Sequence, residues 1–168
     1  NTIPIILALD VTGSMGSACA AVARQLDKII TGLYEDVKDV EFMVMGIGDF
    51  SYDNSPLQVS QFESDIRILD QLSHIYFERG GGGNGWESYT AAWYFASRHT
   101  DLDCWKRGQK GIIITLGDEP LNPYLPAKYL KEVTGDQNIQ GDIETKDLYE
   151  EVTEKYDVYH VVITDRAA

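Results

Sequence analysis

Ile3-Pro4-Ile5-Ile6-Leu7-Ala8-Leu9-Asp10-Val11-Thr12-Gly13-Ser14-Met15-Gly16 is the stretch whose reading decides the fold. The nearly continuous apolar run Ile3–Leu9 is what a strand buried on both faces requires, since neither face then meets water. Pro4 is compatible with the beginning of such a strand and would not be with its middle. The run ends in Asp10, and oxygen-bearing side chains then recur at Asp10, Thr12 and Ser14. A carboxylate and two hydroxyls on one tight loop suit a hard cation, which prefers oxygen ligands. The competing reading is that Asp10 and Ser14 cap the following helix, where both residue types are favoured.

Working outward, Val22, Leu26, Ile29, Ile30 and Leu33 fall on one stripe and predict a helix from Ser17 to about Tyr34. Glu41–Ile47 reads as a second buried strand ending in Gly48-Asp49, and Leu57–Gln61 as a short edge strand. Ser64 is placed to cap a helix carrying Ile66, Leu69 and Leu72. After the glycine run Gly80–Gly85, a helix opening near Trp86 carries Tyr89, Ala92, Trp93 and Ala96 at helical spacing. Gly111–Leu116 is a third apolar strand, ending in Gly117-Asp118. Helices over about Ala127–Val133 and Lys146–Tyr156 precede a last strand, Val158–Thr164.

Strands alternating with helices imply an α/β fold: a three-layer, Rossmann-like sandwich with a mainly parallel sheet, one antiparallel edge strand, and helices on both faces. Such sheets bind ligands beyond the carboxyl ends of their strands. Asp10, Asp49 and Asp118 each stand at that end of a predicted strand, and Asn84 precedes a helix that returns towards it. The 168 residues, 43% of them hydrophobic, supply one core and read as a single domain, residues 1–168. The abrupt start at Asn1 is expected of a domain cut from a larger protein.

A net charge of -13, from 14 basic and 27 acidic residues, repels phosphate backbones and anionic membrane surfaces. No apolar stretch is long enough to span a bilayer, so no membrane insertion is expected. Two cysteines, Cys19 and Cys104, are too few for a disulfide framework, although a bridge between them remains open. Those two cysteines, the absence of an N-x-[ST] sequon and of a signal-peptide pattern favour a cytoplasmic setting without establishing the compartment. His160 is expected to satisfy its ring within the last strand, and three scattered histidines make no zinc site.

Asp10-x-Thr12-x-Ser14, the glycine-rich second loop and Asp118 after a buried strand resemble a von Willebrand factor A (vWA) domain with its metal-ion-dependent adhesion site, MIDAS, of Asp-x-Ser-x-Ser type. The resemblance covers the element order from Ile3 to about Asp165. By position it implies that Asp10, Thr12, Ser14 and Asp118 ligate Mg²⁺, or Mn²⁺ or Ca²⁺. Thr12 replaces the usual serine and keeps its hydroxyl. The second loop lacks the family's threonine and is similar to a Gly-Gly-Gly-Asp-x-Pro-Glu variant. Asn84 then stands at the Asp position, where it either offers an amide oxygen or lies in a loop that simply folds over the metal.

What the resemblance implies is a non-enzymatic, metal-dependent protein–protein interaction module, monomeric as an isolated domain, whose cation accepts an Asp or Glu from a protein partner. Phe50, Tyr52, Trp86 and Tyr124 fall in predicted loops at the same edge, as interface anchors or as packing props. One alternative is a phosphatase resembling the haloacid dehalogenase superfamily, with Asp10 as nucleophile. Thr12 then stands where a general-acid carboxylate is needed, and Asn122 where the later motif wants Asp. The other alternative is a vWA-like scaffold that has lost its metal.

Overall fold

The computed structural model describes residues 2–77 and 88–163. The run Ile3–Asp10 forms strand β1, followed by a 3-10 turn at Gly13–Met15 and helix α1, Gly16–Asp36. Strands β2 (Val40–Ile47) and β3 (Leu57–Val59) follow, then helices α2 (Arg67–Ser73) and α3 (Thr90–Arg98). Strand β4 (Gly111–Gly117) precedes β5 (Tyr124–Leu125), α4 (Ala127–Thr134), β6 (Ile143–Glu144), α5 (Thr145–Thr153) and β7 (Tyr156–Val162).

The main sheet has the order β3-β2-β1-β4-β7, and β5 pairs with β6 in a separate two-stranded ribbon. β1 runs parallel to both β2 and β4, and β7 parallel to β4; β3 is antiparallel on the β2 edge. This is the expected α/β sandwich. The strand period of two explains its layers. Ile6 and Ala8 of β1, with Met43, Met45 and Ile47 of β2, pack in one core with Ala92 and Trp93 of α3 and Leu148 of α5. The alternate residues Leu7, Leu9, Phe42 and Val44 pack in the opposite core with Leu26 and Ile30 of α1 and Ile68 of α2. A strand with cores on both sides has no place for polar alternation, which is why β1 and β2 read as continuous apolar runs.

Several local details depart from expectation. Ser64 does not begin α2: the helix starts at Arg67, and Asp65 Oδ1 accepts from the Arg67 amide at 3.0 Å. A carboxylate two residues back reaches that amide more directly than a serine three back. Helix α3 starts at Thr90, so Tyr89 lies just before the helix rather than inside it. Cys104 is a buried free thiol, which removes the bridge to Cys19 left open by the sequence. Phe50, expected among loop aromatics, is buried in the α3-side core, whereas Tyr52 and Tyr124 are exposed. A wholly apolar ring gains more from burial than a phenol that can keep its hydroxyl in water.

Candidate metal centre

Asp10 is the last residue of β1, paired with Ile47 of β2, and it is completely buried. Its side chain follows the even-numbered face of the strand, after Ile6 and Ala8, towards α3. Immediately after it the chain turns, and the Thr12 amide donates to Asp10 Oδ1 at 2.9 Å. The Thr12 hydroxyl donates to the same oxygen at 2.6 Å. The phenol of Tyr89, 79 residues away, donates to Asp10 Oδ2. These three neutral donors stabilise a carboxylate removed from water, as a buried charge requires.

The rival helix-capping role for Asp10 does not fit this arrangement. Its carboxylate is held by the turn and by Tyr89, and α1 begins after Met15 with no side-chain cap. Thr12 is itself buried. Its hydroxyl, donating to Asp10, is a neutral oxygen held against the carboxylate. Ser14 lies in the 3-10 turn beyond, with its side chain outside the described part of the structure.

The neighbouring strand brings Asp118 to the same edge. Leu9 stands opposite Leu116, so one further residue sets Asp10 level with Gly117, and Asp118 comes next. Asp118 is exposed, unlike Asp10. Gly117 is needed for this geometry: a Cβ there would collide with the Tyr89 phenol and ring. Asn84, like Trp86, falls within 78–87, outside the described residues.

Among the described residues no three His, Cys, Asp or Glu side chains gather as a metal-binding group. The predicted set has only two carboxylates and draws its other oxygens from hydroxyls and an amide. A donor set of this kind fits a hard divalent cation, because two carboxylates balance its charge and neutral oxygens complete it. Asp10 and Thr12, the described pair in contact, have the right chemistry.

Two further features of the edge escaped the sequence. Tyr89 reads as a core residue at helical spacing with Ala92 and Trp93, and nothing in the sequence marks its hydroxyl as a partner of Asp10. Its ring also lies 5.3 Å from that of His160, centroid to centroid. His160 Nδ1 is 2.7 Å from the Thr115 hydroxyl, the local satisfaction expected of it. Burial pulls the His160 pKa below its ordinary value, and the negative Asp10 partly offsets that shift.

The other feature is the state of Asp49, which the sequence places at the end of the second strand. It is buried; Oδ1 accepts from the Ser51 amide at 2.7 Å, while Oδ2 has no hydrogen-bond partner among the described residues. Its own amide donates to Asp53 Oδ2 at 2.7 Å, in space that a side chain on Gly48 would fill. Ser88 joins the two regions. Its hydroxyl accepts from the Phe50 amide at 3.3 Å, and it directly precedes Tyr89.

No family model and no curated protein matches this chain. Among solved structures it is similar to the pilus adhesin SpaC from Lactobacillus rhamnosus GG in an open conformation. That match has a TM-score of 0.60 at 14% identity, covering 99% of this chain and 25% of the adhesin. A second crystal structure of the same adhesin gives 0.59 at 14% identity, with 99% and 26% covered. The chain therefore spans about a quarter of the adhesin's length. At this identity the likeness shows a shared fold.

Proposed function

We propose that this chain is a vWA-like, non-enzymatic module that binds a protein partner through a divalent cation at the carboxyl edge of its sheet. The observation that carries the reading is the Asp10–Thr12 pair. A fully buried carboxylate ends the central strand, and the hydroxyl two residues on donates its proton to that carboxylate, which sets two oxygens of the kind a hard cation prefers side by side. Asp10, Thr12, Ser14 and Asp118 would hold the ion, with Asn84 as a candidate second-loop ligand. A cation held largely by neutral oxygens remains electrophilic, and would take an Asp or Glu carboxylate from the partner.

The residues around the edge favour binding over phosphatase chemistry. Thr12 cannot supply the acid proton that a phosphatase leaving group needs near neutral pH. Asn122, at the position where that chemistry wants a second aspartate, is committed to structure: its amide donates to the Thr90 hydroxyl at 2.7 Å and to the Tyr124 carbonyl at 3.0 Å. No helix among the described residues is long and apolar enough to cross a membrane.

Titration calorimetry with Mg²⁺ and Mn²⁺ tests the reading. Saturable heat is expected for the unaltered chain, with a loss of at least about tenfold in affinity for Asp10→Asn and for Asp118→Ala. Asp10→Asn keeps the size of the buried group, and Asp118 is exposed, so both variants should fold. Absence of binding heat in the unaltered chain would sink the metal site, and phosphatase turnover abolished by Asp10→Asn would overturn the non-enzymatic reading.

A further inference from the structure

The two edges of the main sheet differ. At one edge β3 is three residues long, and the Gln61 amide just beyond it is taken by Gln71 Oε1 at 2.8 Å. A short edge strand of this kind gives another chain little to pair with. At the other edge β7 runs for seven residues, Tyr156–Val162, and pairs with β4 alone. The ladder fixes which of its backbone groups are used. The Lys155 carbonyl accepts from the Gly111 amide, and the Ile163 amide donates to the Gly117 carbonyl, so the odd-numbered residues turn towards β4. The even-numbered residues therefore turn outward. Tyr156 is completely buried, which leaves Val158, His160 and Val162 on the open edge with no backbone partner there among the described residues.

A row of unpaired amides and carbonyls is a template for a further strand. Its side chains suit a covered surface, yet Tyr159, Val161 and Val162 are 56%, 46% and 57% exposed. No Asp, Glu, Lys or Arg falls between Val158 and Val162, so the edge offers no charge by which a basic or acidic partner would be selected. The three open residues are symmetric about His160. A second copy turned about a two-fold axis through His160 runs antiparallel, with Val158 opposite its Val162 and His160 opposite its own counterpart. Every outward amide and carbonyl of the three is then bonded. On the exposed face Tyr159 stands opposite Val161 of the second copy, an aromatic–β-branched pair at the closer of the two antiparallel spacings. Asp157, the nearest acid, lies six residues along the sheet from its counterpart, about 20 Å away and beyond the screening length of about 8 Å at physiological salt. The blunted β3 edge leaves one open edge per chain, so this pairing closes at two copies instead of continuing as a fibre.

We propose that β7 is the contact of a two-fold dimer of this chain, in which two five-stranded sheets join edge to edge with His160 on the axis. This departs from the monomer that the family resemblance implies. It is independent of the cation reading, because β7 supplies none of the candidate ligands. A contact made by one strand from each copy lies at the small end of specific interfaces, so a dissociation constant on the order of 10–100 μM is expected.

The test is analytical ultracentrifugation of the 168-residue chain in EDTA, over about 1–500 μM. A monomer–dimer equilibrium is expected, and raising salt from about 0.05 to about 0.5 M should tighten it, since the two copies carry charge of the same sign. Val162→Pro removes one outward amide without touching the β4 ladder, and Val161→Lys sets a charge opposite the Tyr159 ring. Each should weaken the dimer about tenfold or more. Should Val162→Pro fail to fold, Val161→Lys carries the test alone. The register has its own check: chains bearing Tyr159→Cys and Val161→Cys should cross-link under a copper–phenanthroline oxidant when mixed, and far less when either is alone. Facing residues at that spacing lie within disulfide reach. A monomer throughout, species larger than a dimer, weakening by salt, unchanged association in a folded variant, or a mixture that cross-links no better than its parts would overturn the proposal. Failure of the metal reading would appear in calorimetry and not here, because EDTA leaves no free divalent ion.

Discussion

The phenol of Tyr89 donates a hydrogen bond to Asp10 Oδ2, tying the approach to α3 onto the end of the central strand. Both residues are completely buried, and they are brought together by the crossing of the chain rather than by sequence proximity. The bond makes Asp10 a structural residue as well as a candidate ligand.

Tyr89→Phe should therefore destabilise the chain by about 1.5–3 kcal/mol, the range for a lost hydrogen bond to a buried charge. The ring and its packing are kept, so the cost isolates the hydroxyl. Urea unfolding in EDTA measures it. A change within about 0.5 kcal/mol would show that Asp10 finds an equivalent donor.

Gly117→Ala and Gly32→Ala should have opposite signs. A methyl at Gly117 meets the Tyr89 ring and hydroxyl, whereas one at Gly32, inside α1, meets nothing within 4 Å. Overpacking should cost about 1–3 kcal/mol at Gly117, and alanine should add up to about 1 kcal/mol at Gly32. Paired thermal melts would reveal the contrast, and equal shifts would contradict the close approach at Gly117.

Thr12 separates ligand chemistry from size. Thr12→Ser keeps the hydroxyl and should retain Mg²⁺ affinity within about threefold, while Thr12→Val keeps the volume and should lose at least about tenfold. Calorimetry on the two variants decides, and equal affinities would remove Thr12 from the ligand set.

His160 gives an acid-side stability change. Its folded pKa lies below the ordinary value of 6.5, first because burial disfavours the charged ring, with Asp10 opposing. The unfolded chain thus binds the proton more readily. The associated stability is fully present above 6.5 and is lost as pH falls from there through the folded pKa. Against a His160→Asn control, the unaltered chain should lose melting temperature between about pH 7 and pH 5. Parallel profiles would show that the ring titrates as it does in the unfolded chain.

Much of the fold was legible because buried strands and amphipathic helices write their burial into local periodicity. Ile3–Leu9 and Gly111–Leu116 read as strands covered on both sides, and Val22, Leu26, Ile30 and Leu33 of the stripe pack a helix against the sheet, whereas Ile29 is left exposed. Boundaries were less legible: Ser64 resembled a cap, yet the helix starts at Arg67 after Ile66 with no side-chain cap, and it is Asp65 that accepts from the Arg67 amide. Of the candidate site, Asp10 and Thr12 were readable because their contact spans two residues, and Asp118 because strand order carried it to the same edge.

The sequence by itself determined the α/β layering, the placement of three aspartates at strand ends, and the oxygen-rich turn after Asp10. These follow from residue spacing within single segments. Only the tertiary structure decided that Tyr89 serves Asp10, that Gly117 must yield to its ring, and that Asp49 is buried with one oxygen unpartnered among the described residues. The physical reason is that a hydrogen bond across 79 residues depends on how packed elements cross, and no local periodicity encodes that crossing.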